Sequence, residues 1–338
     1  MEDQEVDQKV AVITGGNAGL GLTVAERLLT EKQGLRLCLA CRNRVRAEAA
    51  KDALKLSHPG SDIDIIILDT SNVHSVFEAA KLMKEKYKRL DYLFLNAGIM
   101  SVSKVNVNWD IFFKTLFTRN CFFMFKTGDG ILNQSDEITG DELMKIFATN
   151  VFGHFILIRE LEDCIGGKEP SQLIWTSSSN GMEYNFQMDD IQHKNSYTPY
   201  SSSKYATDLL SIALNEKLNS KSVYSYVMCP GMVITNLTYK ILPPLFWMLI
   251  WPIVLLMRIF VPGLNYSTYN GSEATMWLCH QKHETLSPRL KYQSKTGITG
   301  SPYVTTEKIK PATDAPGQLY DQLEVLYQQF KQKHKSTS

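Results

Sequence analysis

The sequence predicts an α/β protein built on a doubly wound parallel sheet. Short apolar runs of strand length, the first at 10–14 (VAVIT), alternate with stretches in which apolar residues recur at helical spacing. The alternation covers 10–100 and resumes after residue 138. Strands that are apolar at every position, rather than at every second one, are typical of parallel sheets covered by helices on both faces. A chain of 338 residues with 44% hydrophobic content can bury one large core of this kind.

The elements follow one another in a regular order. The first helix is predicted just after the first strand, because Leu22, Ala25, Leu28 and Leu29 recur at helical spacing. Further strands are predicted at 35–41, 63–68, 91–96, 172–178, 223–231 and near 300–304, and further helices at 46–56, 76–87, 141–161, 200–218, 273–278 and 318–330.

The chain is predicted to form one domain over 1–310, followed by a C-terminal helix and tail over 311–338. Two stretches break the alternation: 100–138 is an aromatic-rich insertion, and 232–270 contains the most hydrophobic segment of the sequence. Both follow the ends of predicted strands, on the side where open parallel sheets bind ligands. The second stretch is therefore interpreted as an apolar lid that faces a membrane.

The centre of this lid, 242–261, is about long enough to cross a bilayer as a helix. Arg258 and several prolines make it a poor spanning helix, and the later elements must join the same sheet as the earlier ones. A lid that dips into the cytosolic leaflet is favoured, with a spanning helix and a buried soluble lid as the alternatives. Aromatic residues of the insertion are expected beside it, namely Trp109, Phe112, Phe113, Phe122 and Phe123.

The overall charge and the cysteines exclude several classes of protein. A net charge of +1, without a long run of one sign, argues against a nucleic-acid partner. Six scattered cysteines are too few for a disulfide scaffold, which favours reduced thiols. Cys38 and Cys41 lie three residues apart on a predicted strand, so they point to opposite faces and cannot share a metal. Cys279 and His283 have a metal-like spacing but no partner cluster, and no metal site is predicted. Residues 1–9 are polar and acidic, so no cleaved signal peptide is expected.

The segment TGGNAGLG at 14–21 lies between the first strand and the first helix. Glycines let a backbone approach a pyrophosphate closely, and the helix N-terminus supplies N–H groups, so the segment predicts a dinucleotide-binding loop. A tight turn without a ligand is the alternative, which the strand–turn–helix setting disfavours. The residues assigned to the cofactor here are Thr14, Gly15, Asn17, Gly19, Leu20 and Gly21.

The end of the second strand indicates which dinucleotide binds. An acidic residue at this point would bind the ribose 2′-hydroxyl of NAD, but Cys41 is followed by Arg42. A guanidinium suits a 2′-phosphate, which favours NADP(H). A solvated basic turn that includes Arg44 and Arg46 is the alternative. Asp69, after the third strand, is expected to accept a hydrogen bond from the adenine amino group.

Two pairs of residues have the spacing Y-x-x-x-K, Tyr200 with Lys204 and Tyr327 with Lys331. In a helix, each pair would share one face, where the ammonium can favour the ionised phenol. The spacing alone does not distinguish the two pairs.

Several motifs together resemble those of the short-chain dehydrogenase/reductase family. In the family's order, the sequence has T-G-x-x-x-G-x-G at 14–21, NAG at 96–98, a strand that ends in two serines, Y-x-x-x-K at 200–204 and PG at 230–231. The resemblance implies a Rossmann-type fold, and it selects Tyr200 and Lys204 over the second pair.

The resemblance also implies roles for individual residues. Ser178 would hold the substrate oxygen, Tyr200 would donate the proton, and Lys204 would favour the phenolate and bind the nicotinamide ribose. Ser177 and Ser179 stay alternatives, because Ser178 lies 22 residues before Tyr200, more than in compact members. The implied catalytic set is Asn150, Ser178, Tyr200 and Lys204, and the implied further cofactor contacts are Asn96, Ala97, Gly98, Tyr200, Lys204, Pro230, Gly231 and Thr235.

Segments at 149–162, 199–211 and 229–244 resemble steroid-active members of the family. They imply NADPH-dependent reduction of the 3-ketone of sterol intermediates in cholesterol synthesis, with the 17-ketone of estrone as a second substrate. The expected location is the endoplasmic reticulum membrane, with the catalytic domain facing the cytosol. A second copy of the chain or other sterol-synthesis enzymes are the protein partners left open. The alternative functions are an NADP-dependent retinol dehydrogenase and a non-catalytic NADP-binding scaffold.

Overall fold

A sheet of eight strands forms the centre of the part of the chain that the structure describes. The structure is a computed structural model, and it describes residues 8–100, 102–104, 133–195, 197–233, 264–312 and 314–337. Its strands are β1 (Val10–Thr14), β2 (Arg36–Cys41), β3 (Asp62–Ile67), β4 (Tyr92–Leu95), β5 (Val102–Lys104), β6 (Asn133–Gln134), β7 (Ser171–Thr176), β8 (Val223–Cys229), β9 (Met232–Val233), β10 (Leu264–Tyr266), β11 (Leu290–Thr296) and β12 (Pro302–Lys308).

The sheet has the order β12-β11-β8-β7-β4-β1-β2-β3. All neighbouring strands pair in parallel except β12, which runs antiparallel to β11 at the edge. The order reverses between β1 and β4, so the chain winds outward from the middle in both directions. The predicted doubly wound parallel sheet is confirmed.

The helices cover both faces of the sheet. Asn43 and Asn72 cap two of them, because their side chains accept hydrogen bonds from the backbone N–H groups of Arg46 and Ser75. The helices are α1 (Gly19–Glu31), α2 (Arg44–Ser57), α3 (Val73–Lys86), α4 (145–160), α5 (Pro199–Leu218), α6 (Thr268–Gly271), α7 (Glu273–His280) and α8 (Ala315–Thr337).

Helix α4 begins later than the predicted 141–161 and is not uniform. Asp141 accepts a hydrogen bond from the Val73 N–H at the start of α3, and Glu142 has a φ of +62°, so neither extends α4. The first turn of α4 is capped from outside the helix, because the Asp136 carboxylate accepts a hydrogen bond from the Ile146 N–H. Within α4, the turn Ala148–Phe152 is π-helical, between α-helical parts at Lys145–Phe147 and Gly153–Glu160. Such turns are often found at functional sites.

Two hydrophobic clusters lie on opposite faces of the sheet. Val12 of β1 belongs to the cluster under α3, α4 and α5, whereas its neighbour Ile13 belongs to the cluster under α1, α2 and α7. Cys38 and Cys41 divide in the same way, which confirms that they point to opposite faces. The continuous apolar pattern of the strands therefore reflects burial on both sides.

Helix α5 is buried along nearly its whole length, because α8 covers the side that faces away from the sheet. Leu319 and Leu323 of α8 are fully buried, and Arg159 of α4 forms an ion pair with Glu324 of α8 at 2.8 Å. The predicted terminal helix is confirmed and extends beyond 318–330 in both directions.

Strand β11 was not predicted from the sequence. Its residues, LKYQSKT, are mostly polar, yet Lys291, Gln293 and Ser294 are buried. Each finds a polar partner elsewhere in the chain, which a local pattern does not reveal. The strand predicted near 300–304 is present as β12 and joins the same sheet, at its edge.

The lid predicted at 232–270 begins and ends at neighbouring points of the fold. β9 and β10 pair in parallel, with Met232 opposite Leu264, so the described chain stops and resumes at two adjacent strands. Residues 234–263, which include the predicted membrane segment at 242–261, lie outside the described residues, as does most of the insertion at 100–138. Among the described helices, none combines the length and the apolar character that a membrane crossing requires.

Candidate active site

The glycine loop turns the chain from β1 into α1. Gly15 and Gly19 have φ values of +68° and +54°, in the left-handed region that residues with a Cβ rarely adopt. Gly21 is needed for a different reason, because an added Cβ would lie 2.5 Å from the Gly15 carbonyl oxygen and 2.6 Å from Asn96 Nδ2. The loop is therefore closely packed against the rest of the protein. Its glycines have no side chains to keep a phosphate away from the backbone N–H groups.

The start of α1 adds donors to this loop. Ala18 precedes the helix with extended backbone, and no described side chain caps the first turn. The N–H groups there and the positive end of the helix dipole favour an anion. The backbone N–H groups of Asn17 and Gly16 donate to the Cys41 thiol, whose pKa burial raises to about 11, so the thiol stays neutral and anchors the loop. The partly buried Leu20 packs against the core below.

Thr14 joins the ends of β1 and β4. Its hydroxyl is fully buried and accepts hydrogen bonds from the backbone N–H groups of Asn96 and Ala97, both at 2.9 Å. The same oxygen lies 3.0 Å from His154 Nε2, and Asn96 Nδ2 donates to the Thr14 carbonyl at 3.0 Å. The Thr14 hydroxyl is thus fully engaged within the protein, and its predicted contact with the cofactor stays a prediction.

His154 is a member of the site that the sequence analysis missed. It is 1% exposed on α4, and its Nδ1 lies 3.4 Å from the backbone oxygen of Asn150. Burial lowers its pKa to about 3, so it is neutral and links α4 to Thr14 rather than transferring protons at neutral pH. The available signal was its position one helical turn after Asn150.

Arg42 and Asp69 lie together beside the glycine loop. Arg42 directly follows β2, its side chain is 67% exposed, and its Nη1 lies 3.8 Å from Asp69 Oδ2. The other oxygen of Asp69 accepts hydrogen bonds from the N–H and hydroxyl of Ser71, which fix the carboxylate. Arg44, one of the alternatives, faces Glu48 at 3.9 Å along α2. An exposed guanidinium therefore stands where an acidic residue would select NAD.

Asn150 is held in the π-helical turn of α4. Its Oδ1 accepts from the Ile99 N–H at 2.8 Å, and its Nδ2 donates to the Ile99 carbonyl and to Ser203 Oγ, both at 3.0 Å. The side chain thus joins the chain after β4 to α5. Gly98 lies in this junction, and a Cβ there would be 3.3 Å from Asn150 Oδ1 and 3.5 Å from Lys204 Nζ. The predicted N-A-G segment and Asn150 therefore meet.

Tyr200 and Ser178 are hydrogen-bonded to each other. Burial raises the pKa of the Tyr200 phenol to about 12, while the bond from Ser178 acts in the opposite direction. The expectation that the Lys204 ammonium, together with an oxidised nicotinamide ring, favours the phenolate stays a prediction. A protonated phenol at neutral pH is the form that can donate a proton to a carbonyl oxygen.

Lys204 stands one helical turn after Tyr200 and is 5% exposed. Its Nζ donates to the Thr176 carbonyl at the end of β7 at 2.7 Å and lies 5.7 Å from the centre of the Tyr200 ring. Burial lowers the pKa of Lys204 to about 8, and the nearby Asp208 opposes this shift. The Lys204 ammonium is therefore mostly charged at neutral pH and loses its proton as the pH rises through about 8.

The three serines at 177–179 have different surroundings. Ser177 is 2% exposed, and its hydroxyl reaches Asp208 and the Lys204 backbone oxygen beneath the site. Ser178 Oγ is the serine oxygen that meets Tyr200, and it also accepts the Asn180 N–H at 3.1 Å. This geometry favours Ser178 over Ser177, and Ser179 stays an alternative.

Pro230 and Gly231 close the site after β8. Gly231 has a φ of +67°, and the Pro230 carbonyl accepts a hydrogen bond of 2.6 Å from Asn265, which enters from β10. Asn265, not predicted from the sequence, is 2% exposed and also donates to the Ser294 carbonyl. Thr235, the last predicted cofactor contact, lies outside the described residues.

The second pair, Tyr327 and Lys331, forms a structural network. The Tyr327 hydroxyl donates to Glu160 Oε1 and accepts from Lys331 Nζ, both at 2.6 Å. Lys331 also pairs with Glu160 at 2.9 Å. These bonds join α8 to the end of α4, away from the glycine loop.

The ends of β1, β4 and β7 and the start of α5 thus converge on one cleft. The glycine loop can hold a pyrophosphate, and Gly98 packs closely against Lys204 and Asn150. The Tyr200 phenol, a proton donor, lies next to the Ser178 hydroxyl. The residues fit a nicotinamide dinucleotide and a carbonyl substrate, the requirements for hydride and proton transfer.

The fold and site define an oxidoreductase of the short chain dehydrogenase family. The family's sequence pattern matches residues 9–134 and 127–244, and the chain belongs to this family. It is 49% identical over 325 residues to the 3-keto-steroid reductase/17-beta-hydroxysteroid dehydrogenase 7 of Rattus norvegicus, covering 96% of this chain and 97% of that protein. The protein of the same name from Homo sapiens is 49% identical over 317 residues, covering 94% and 92%. The 3-keto-steroid reductase of Schizosaccharomyces pombe is 29% identical over 348 residues, covering 96% and 98%.

Solved structures share the fold at low sequence identity. Levodione reductase superposes with a TM-score of 0.59 at 19% identity, covering 83% of this chain and 94% of the other. A 3-ketoacyl-(acyl-carrier-protein) reductase from Brucella melitensis, complexed with NADH, gives a TM-score of 0.56 at 18% identity, covering 84% and 96%. These likenesses support the parallel α/β fold.

Replacement of Tyr200 by phenylalanine removes the proposed acid without changing the ring. We expect Tyr200→Phe to lower kcat for carbonyl reduction by about 10²- to 10⁴-fold, the usual contribution of a general acid. The dissociation constant for the cofactor should stay nearly unchanged, measured by fluorescence titration. Tyr327→Phe is the matched control, because it removes the hydroxyl of the second pair and should retain activity. Equal losses in the two variants would contradict the assignment.

The pKa of Lys204 predicts an alkaline limit to the reaction. Burial places this pKa near 8, so the ammonium is present below that pH and lost above it. Tyr200, with a pKa raised to about 12, keeps its proton over the same range. We expect kcat/KM for reduction to fall above about pH 8, measured as a full pH–rate profile. Lys331→Met should show the same fall in kcat/KM above pH 8. A kcat/KM that stays constant well above pH 8 in the wild type would contradict a role for the Lys204 ammonium in the reaction.

Proposed function

We propose that this chain is an NADPH-dependent reductase of steroid ketones that acts on the 3-keto group of sterol intermediates in sterol biosynthesis. The observation that carries the proposal is the assembled set of Asn150, Ser178, Tyr200 and Lys204 in a chain that matches 3-keto-steroid reductases over nearly its full length. The names of the rat and human relatives also include a 17-beta-hydroxysteroid dehydrogenase, so the 17-ketone of estrone is the second proposed substrate.

The chain's own residues have distinct roles in this reduction. Ser178 holds the carbonyl oxygen of the substrate next to the Tyr200 hydroxyl, and Tyr200 gives that oxygen its proton. Lys204 keeps a positive charge beside the phenol, which stabilises negative charge on Tyr200 after the proton has left. Asn150 fixes the chain after β4 against α5 and so maintains the cleft. When bound, the reduced nicotinamide supplies the hydride, and the glycine loop and Lys204 are the residues that would hold the cofactor.

Arg42 supports NADP(H) rather than NAD(H). It is the first residue after β2, mostly exposed, and its partner Asp69 lies at a loose 3.8 Å, so its guanidinium can turn toward a 2′-phosphate. Asp69 itself follows the next strand and is proposed to bind the adenine amino group.

Substitution of Arg42 tests the cofactor. Because a hydrogen bond to a charged group contributes about 1.5–3 kcal/mol and Arg42 is exposed, we expect Arg42→Ala to raise the KM for NADPH roughly tenfold. The KM for NADH should change little, so the ratio of the two kcat/KM values is the measurement. Arg44→Ala, which alters a similarly exposed arginine two residues later, is the control. An unchanged ratio in Arg42→Ala, together with a changed one in Arg44→Ala, would move the role to Arg44.

The substrate is tested by direct turnover. Purified protein with NADPH is incubated with a panel of 3-keto sterols, estrone and retinal, and cofactor oxidation is followed. We expect the highest kcat/KM for a 3-keto sterol, and loss of that turnover in Tyr200→Phe. A preference for retinal would favour the alternative of a retinol dehydrogenase, a name carried by a human relative that is 30% identical over 253 residues. Cofactor binding without turnover of any ketone would favour the non-catalytic scaffold.

We further propose that the segment at 242–261 dips into the cytosolic leaflet of the endoplasmic reticulum and opens the substrate cleft toward lipid. Its apolar sequence supports this, as does the parallel pairing of β9 and β10, the described strands on either side of 234–263. A single crossing within this segment would separate parts that belong to one sheet.

Tags at residue 1 and residue 338 test the membrane proposal on intact microsomes. Both tags should be digested by added protease without detergent, and the protein should stay with the membrane after a wash at high pH. Protection of one tag alone would indicate a crossing. Release of the whole protein by the wash would indicate a soluble lid.

A further inference from the structure

A buried ion pair lies directly beneath the catalytic residues. Lys291 of β11 and Asp208 of α5 are 5% and 1% exposed, and their Nζ and Oδ2 atoms are 2.6 Å apart. Removing two charges from water is costly, so a buried pair is seldom explained by stability alone. Tyr200, Lys204 and Asp208 follow one another at intervals of four residues, so they share one face of α5.

Lys291 has a second contact, and it is with the catalytic serine. Its Nζ donates to the backbone oxygen of Ser178 at 3.0 Å, while the hydroxyl of Ser178 is bonded to Tyr200. Ser178 follows the end of β7 in a turn, where the N–H of Gly181 approaches the same backbone oxygen at 3.2 Å. The charged donor is the stronger of these two contacts with the oxygen.

These contacts form a closed circuit around the site. From Tyr200 it follows α5 through Lys204 to Asp208, crosses to Lys291, and returns through Ser178 to Tyr200. Burial opposes the charge of Lys291, but the attraction and hydrogen bond of Asp208, together with Cys229 and Glu307, raise the pKa of Lys291, so the cation persists. Asp208 raises and Lys291 lowers the pKa of Lys204, so the two partners have opposing effects on it. Besides these effects on Lys204, the pair contacts the catalytic serine directly, through the hydrogen bond from Lys291 to the Ser178 backbone oxygen.

We propose that Asp208 and Lys291 are positioning residues for Ser178. Lys291 fixes the backbone after β7 so that the Ser178 hydroxyl faces Tyr200, and Asp208 supplies the counter-charge that allows a lysine to be buried there. The inference rests on the proposed carbonyl reduction only through Ser178 and Tyr200, and it does not depend on which ketone is preferred.

The test variant removes both charges together. Lys291→Met alone would leave Asp208 buried without its counter-ion, so Asp208→Asn/Lys291→Met is used, in which both side chains keep nearly their shape. We expect kcat to fall about 10- to 100-fold, as for a reacting group displaced by about 1 Å. The KM and dissociation constant for NADPH should not change, because the glycine loop and Arg42 are untouched.

A double-mutant cycle with Ser178→Ala separates positioning from general structural support. If the pair acts through Ser178, adding Asp208→Asn/Lys291→Met to Ser178→Ala should lower kcat no further. An equal additional loss in the Ser178→Ala background would overturn the proposal, as would full activity in the test variant. Each enzyme is assayed with the ketone that the wild type turns over best, so failure of the steroid assignment and failure of this inference give different results.

Two further variants complete the experiment. Arg159→Met/Glu324→Gln removes the ion pair between α4 and α8, away from the serines, and should leave kcat unchanged. Asp208→Asn/Lys291→Gln keeps an N–H donor beside the Ser178 backbone oxygen and should recover part of the lost activity. If neither neutral pair folds, judged by circular dichroism, the ion pair is a requirement for folding and the positioning proposal is wrong.

Discussion

The parallel pairing of β1 with β4 is the constraint on which the site depends. Strand order reverses at this pair, so the segments that follow the two strands run to opposite faces of the sheet and leave a crevice between them. Thr14 stabilises the base of the crevice, because its buried hydroxyl accepts hydrogen bonds from the backbone N–H groups of Asn96 and Ala97. The glycine loop on one side and Asn150 on the other both take their positions from this junction, the latter through His154.

Much of the fold could be predicted because parallel strands covered on both faces leave an unusually clear apolar pattern. The main exception is instructive. β11 carries polar residues in the core, and their partners lie far away in the sequence, as with Lys291 and Asp208 or Ser294 and Asn265. A local pattern records whether a residue is polar but not whether a distant partner will satisfy it. The same reason explains why His154 and Asn265 were missed at the site itself.

The two tyrosine–lysine pairs show how little a local spacing specifies. Both tyrosines sit one turn before a lysine in a helix, and burial raises the pKa of each to about 12. What separates them is their surroundings. Tyr327 gives its hydrogen bond to a carboxylate that ties two helices together, whereas Tyr200 faces a serine at the end of a central strand. The position of each pair relative to the other motifs is visible in the sequence. The contacts of each tyrosine are visible only in the folded structure.

Helix α8 has a consequence for how the protein can associate. It lies along α5, with buried leucines at the contact and an ion pair of 3.6 Å between Lys217 of α5 and Asp321 of α8. Because this partner is part of the same chain, its effective concentration far exceeds that of any free competitor. The chain's own helix α8 therefore covers the outer side of α5. Self-association through that side would first require α8 to detach.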